Sequence, residues 1–235
     1  MTAALQTGTL RAAQPPASAA HTLGYWSALV GTVAGVAYFL VIVAAILTGQ
    51  FTFPPPEWLQ LFGGLISLLF CPIMVVLVAC LHTTAPADRR VFTQAGLAFT
   101  ILFAMAVSAN RFTQLGVVRQ SLAAGSADGV EWFLAYAGHS VMFGFEIMGW
   151  GWFLSLAFLS IVPLFGTSRL ERWLRGLCAL YGLLGLISAA AFLLESPLVS
   201  VGFAAWGLLL FIITALLAVL FRRGWSAAPE KAQTS

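Results

Sequence analysis

Apolar residues along the chain come in long unbroken runs, not in alternation. Trp26 to Leu47, Leu59 to Leu81, Val91 to Asn110, Gly176 to Leu194 and Ser196 to Phe221 contain no charged residue, and His139 to Phe165 carries only Glu146. A hydrocarbon core about 30 Å thick is crossed by roughly 20 residues at a helical rise of about 1.5 Å each. The pattern therefore predicts an all-α polytopic membrane protein, a bundle of six transmembrane helices at about 26–48, 59–81, 91–117, 139–165, 173–194 and 197–221. A transmembrane β-barrel would instead show segments of about 10 residues with alternating polarity.

Punctuation between the runs supports this division. Tyr25, Trp26, Trp58, Trp132, Tyr136, Trp173 and Trp225 fall near the expected span ends, where amphipathic rings favour the headgroup layer. Pro54, Pro55 and Pro56 stiffen the first loop, and Pro72 removes a backbone bond within span two. Gly31 with Gly35, and Gly182 with Gly185, supply small faces for close helix approach. In the longest loop, Asp128 followed by Glu131 resembles a capping box, so a helix is expected to start there and to be tilted or broken near Gly138 or Gly144, with Val130 to Ala137 along the interface. Residues 1–22 read as a disordered cytoplasmic tail, 23–225 as one six-helix domain and 226–235 as a second short tail. Span one is too long for a signal-peptide core and reads as an anchor.

Composition strengthens the assignment: 60% of residues are hydrophobic, 8% are charged, and the mean hydropathy is +0.95. Charge then orients the bundle. Arg11, Arg89, Arg90, Arg169, Arg172, Arg175, Arg222, Arg223 and Lys231 all fall at one side of the six spans, which predicts that both termini are cytoplasmic. The same asymmetry accounts for the net charge of +3, so nucleic acid is not an expected partner. Scarce Lys beside abundant Arg and Ala suggests a bacterium with a GC-rich genome, and hence its cytoplasmic membrane.

Candidate chemistry is sparse. Cys71, Cys80 and Cys178 lie within spans as small apolar groups, with no Cys-x-x-Cys pair. His82 and His139 fall near opposite faces, so no metal or cofactor site is expected. No hydrolase, metalloprotease or phosphate-loop motif occurs. What remains is the set of ionisable groups within or at the edge of spans, where a charge costs at least about 2.5 kcal/mol unless paired or hydrated. Helical rise brings Arg111, Glu146 and Glu195 to one layer on the side away from the arginine clusters, and Asn110, Gln114 and His139 extend that layer outward. Trp150, with Met142 and Phe143, shares the helical face of Glu146, while Gly144, Gly149 and Gly151 reduce bulk around it. Two readings follow: a pocket in which Arg111 holds an anionic ligand group or neutralises Glu146, or an Arg111–Glu146 ion pair that only fixes packing while Arg111 and Glu195 reach the headgroups.

Arg111 late in span three, Glu146 in a glycine-rich fourth span, and the boundary Ser168-Arg169-Leu170-Glu171-Arg172-Trp173 together resemble small six-helix bacterial integral membrane proteins of unknown function, over about Trp26 to Phe221. The resemblance implies a fold and no activity. The expected function is recognition of a small or lipid-like ligand in an outer-leaflet polar pocket between spans three, four and five, formed by Arg111, Glu146, His139, Asn110, Gln114, Glu195 and Trp150. The alternatives are a membrane-embedded enzyme acting on a lipidic substrate with Glu146 and His139 as acid-base groups, and a structural or accessory subunit. The lipid bilayer is the expected partner, with a homo-oligomer or another membrane protein as further options.

Overall fold

A computed structural model describes residues 17–52, 55–126, 128–134 and 140–225. Among these residues there is no strand, and six helices are long and apolar enough to cross a membrane: α1 (Ala19–Leu47), α2 (Glu57–Thr84), α3 (Ala87–Ala123), α4 (Val141–Leu164), α5 (Arg169–Leu193) and α6 (Pro197–Arg222). The chain is a multi-pass membrane protein. Large apolar side chains such as Val33, Leu65, Met105, Leu183 and Leu208 are exposed around the bundle, as a lipid-facing surface requires.

Each helix packs against its predecessor, and α6 closes against α1, so the six helices form a ring in chain order. Small residues set the joints. A Cβ on Gly35 of α1 would run into the Phe211 ring of α6, and one on Gly24 would meet Phe221 at 2.7 Å. The Thr32 hydroxyl lies 3.0 Å from that of Thr214 across the same seam. Between α3 and α4, a Cβ on Gly149 would meet Val107 at 2.7 Å. Between α4 and α5, Gly151 and Gly185 face one another so closely that a Cβ on either would lie 3.2 or 3.1 Å from the other's carbonyl oxygen. Without a hydrophobic drive between helices in lipid, such close backbone approach is a main source of association. The glycines of α4 therefore pack helices; of the three expected to reduce bulk around Glu146, Gly149 and Gly151 are occupied in this way.

Inside the ring, Phe70, Phe103, Trp150, Phe158 and Tyr181 form the buried core. Phe103 meets Trp150 edge-on at 4.8 Å, and Phe158 lies 4.6 Å from Tyr181. The start of α1 and the end of α6 lie together at one face. There His21 Nε2 is 2.6 Å from the carbonyl of Trp225, whose indole N–H donates to Glu171 Oε1 at 2.8 Å. Glu171 and Ser168 complete the capping box that starts α5. Arg89, Arg169, Arg172, Arg175, Arg222 and Arg223 belong to this same end, here termed the arginine face.

Two boundaries differ from expectation. Helix begins at Ala17, within the segment expected to be a tail; residues 1–16 and 226–235 lie outside the described residues. Asp128 and Glu131 do not start a spanning helix: Gly129 is left-handed at φ 78°, Val130–Phe133 makes a single 3-10 turn, and Leu134 is extended. The fourth span starts at Val141, where Ser140 accepts hydrogen bonds from the backbone of Met142 and Phe143. Four residues after Asp128 the chain has turned only once, too little to hold a helix without the apolar face that α4 gains further on. The extra helical length falls on α3, whose 37 residues rise about 55 Å.

Candidate functional site

Three of the helices lose the α register for a stretch, and all three do so in the half away from the arginine face. Thr113–Val118 in α3, Ile147–Phe153 in α4 and Ala205–Leu209 in α6 are π-helical. Wide turns of this kind cost hydrogen-bond geometry and recur at functional sites. In α4 the cost is offset in part by Tyr181, whose buried hydroxyl donates to the carbonyl of Trp150 at 3.4 Å.

Arg111 precedes the first π stretch and Glu146 the second. The Arg111 guanidinium donates to Glu146 Oε1, and Asn110 Nδ2 donates to Glu146 Oε2 at 2.6 Å. Both carboxylate oxygens thus accept from adjacent positions of α3. The ion pair is largely enclosed, with the Arg111 side chain 9% exposed and that of Glu146 16%. An ionised pair at this depth persists because each charge is compensated within the protein.

Two cavities meet at this pair. A vestibule of about 390 Å³ lies between α2 and α3 and is lined by Glu57, Gln60, Gly64, Gln114 and Arg119 among others, together with Arg111. Its rim is polar: Arg119 Nε is 3.4 Å from Glu57 Oε1. A larger chamber of about 660 Å³ lies inside the ring between α1, α2, α4 and α6. Its walls are aromatic, with Tyr38 and Phe39 from α1, Phe70 from α2, Trp150 from α4, and Trp206 and Phe211 from α6. Glu146 lines the chamber, and Arg111 lines both compartments. From Glu57 to Gly64 the vestibule occupies about 10 Å of α2, and from Glu57 to Phe70 the chamber reaches about 20 Å.

The expected site residues are distributed as follows. Arg111, Glu146 and Asn110 converge as one hydrogen-bonded group, and Trp150 walls the chamber beside them. Gln114 lines the vestibule, where its Nε2 donates to the carbonyl of Phe133. Glu195 does not join: it is exposed in the α5–α6 turn, holds a left-handed φ of 52°, and lines neither cavity. His139 lies outside the described residues. The pocket expected between spans three, four and five lies instead among α1, α2, α4 and α6, with Arg111 reaching in from α3. No residue of α5 lines either cavity, and α4 and α5 approach closely at Gly151 and Gly185. Missed altogether were the aromatic walls from α1, α2 and α6, which in sequence look like any lipid-facing ring. Gly207 was the available signal: a Cβ there would meet nothing within 4 Å, because it borders the chamber.

Buried polar atoms mark the same region. The indole N–H groups of Trp150 and Trp206 and the Oδ1 of Asn110 have no hydrogen-bond partner among the described residues. Such groups are rare in folded proteins and cost about 1–3 kcal/mol each if left unmet. Cys71, a buried free thiol one turn from Ser67 of the chamber wall, donates to the Ser67 carbonyl at 3.2 Å. Among the described residues no three His, Cys, Asp or Glu side chains are grouped to hold a metal ion.

Comparison with protein-family models, with characterised proteins and with solved structures finds no match to this chain. The functional reading therefore stands on the geometry.

Proposed function

We propose that the protein binds an amphipathic ligand, with the ligand's polar group at Arg111 and Glu146, the latter held by Asn110, and its apolar body in the aromatic chamber. One observation carries the reading: Arg111 lines both a polar vestibule and an apolar chamber, so the ion pair stands where a polar head and an apolar tail would part company. The chamber's size falls within the range of about 300–1,000 Å³ common to small-molecule sites. On this reading the arginine face is cytoplasmic, and the site belongs to the outer leaflet.

The test is thermal stability of the delipidated protein in detergent, with and without extracted native lipids. A bound ligand at about 100 times its Kd adds about 2.7 kcal/mol. Gly207→Phe places a ring at a position that borders the chamber and where a Cβ meets nothing within 4 Å. We expect lipids to stabilise the native sequence and to leave Gly207→Phe unchanged. Equal stabilisation of both, or of neither, would refute the proposal.

A further inference from the structure

The chamber is closed on three sides and open on the fourth. Of the wall residues, Phe70 at 2%, Leu59 at 3% and Trp150 at 8% exposure on α2 and α4, and Leu210 at 1% on α6, are deeply buried. Phe39 of α1 at 40%, and Phe203 and Leu208 of α6 at 49% and 51%, are exposed. The gradient points to a mouth between α1 and α6. Below it the seam is shut, by Phe211 against Gly35 and by the Thr32–Thr214 hydrogen bond. Phe203 and Leu208 lie about 9 and 17 Å along α6 from Pro197, within the thickness of one leaflet, so the mouth faces acyl chains and not water.

We infer that the chamber is loaded sideways from the surrounding leaflet, through the α1–α6 mouth, by a zwitterionic phospholipid that keeps its membrane orientation as it binds. This rests on the amphipathic-ligand reading above. Orientation agrees at both ends: the ion pair lies about 8 Å along α4 from Val141, near headgroup depth, and the chamber extends from there toward the bilayer centre. A lipid therefore needs translation and no inversion.

Charge selects the head. Arg111 and Glu146 already sum to zero in an enclosed site, so a singly charged head would leave one uncompensated charge there. A head with both signs leaves none. The planar guanidinium fork suits a phosphate, and each Glu146 oxygen keeps a second lone pair for an ammonium donor.

The experiment measures lipid uptake by delipidated protein using native mass spectrometry. The probes are long-chain phosphatidylethanolamine in vesicles, phosphatidylglycerol in vesicles, and the water-soluble dihexanoyl form of phosphatidylethanolamine. Ala204→Trp and, independently, Leu208→Trp narrow the mouth at exposed positions that the fold does not need. We expect retention of phosphatidylethanolamine over phosphatidylglycerol by about tenfold. We also expect each mouth variant to slow loading from vesicles about tenfold more than loading of the dihexanoyl form from water. Equal retention of the two head groups overturns the zwitterion assignment. Equal slowing of both phosphatidylethanolamine forms, or of neither, overturns the lateral route while the site itself stands. Failure of the site is a separate result: no lipid of any kind is retained, or Gly207→Phe retains it as the native sequence does.

Discussion

Asn110 and Glu146 are joined by a 2.6 Å hydrogen bond from the α3 amide to Oε2, while the neighbouring Arg111 takes Oε1. Two consecutive side chains of one helix thereby fix a single carboxylate of the next. Their burial makes the group a sensitive one, because removing any member strands the others away from water.

Breaking the pair from one side should be costly. Arg111→Ala and Glu146→Gln each leave an enclosed, unmatched group, and we expect a loss of about 3 kcal/mol for the arginine variant, less for the isosteric glutamine. The double variant should recover part of that loss. A double-mutant cycle in detergent, read by thermal or denaturant unfolding, checks the coupling; strictly additive effects would contradict it.

At the ring's closure, Gly35→Val forces a branched side chain into the Phe211 ring. Overpacking of this kind costs about 1–3 kcal/mol. Pairing it with Phe211→Ala should restore much of the stability by making room, and an unrelieved double variant would show that the seam is not the cause.

Glycines elsewhere divide by what faces them. Gly185→Ala meets Ser155 and the Gly151 carbonyl, and backbone cannot step aside, so we expect clear destabilisation. Gly176→Ala, exposed on the same helix with nothing opposite, should instead stabilise by about 0.5–1 kcal/mol through helix propensity. Melting temperatures of the two variants side by side decide the matter by sign alone.

Orientation is open to labelling. In a background with the three native cysteines replaced, Arg172→Cys on the arginine face should resist a membrane-impermeant maleimide added to intact cells, and Gln120→Cys at the far end of α3 should react. The reverse pattern would invert the bundle and move the candidate site to the inner leaflet.

Much of this fold was legible because its solvent imposes one rule. Unbroken apolar length specifies a spanning helix, and the six runs correspond to the six helices within a few residues at most ends. Arg111 with Glu146 was legible for the same reason, since charge in a span demands a partner. That Asn110 would hold the other oxygen was not legible, since adjacency to Arg111 suggested only that it extended the polar layer outward. Ring closure was not legible: Gly35 carries no mark that its opposite number is Phe211, some 176 positions on. Nor were the π stretches, whose residues Thr113–Val118 and Ala205–Leu209 have no composition distinct from α-helix. Those two features create the chamber, so its walls stayed hidden while its polar end was visible. Glu195 looked equivalent to Glu146 by depth alone, but its helix ends at Leu193 and leaves Glu195 in an exposed turn beyond the span.

The joint between the first and last helices carries a consequence for biosynthesis. A ribosome delivers α1 well before α6, so this joint forms only after all six helices have been made. Until then five helices stand in the bilayer as an open arc, and an arc standing in lipid has lipid in its hollow. Closing the arc must either expel those molecules or trap one, which makes the final act of folding also the first opportunity to fill the chamber.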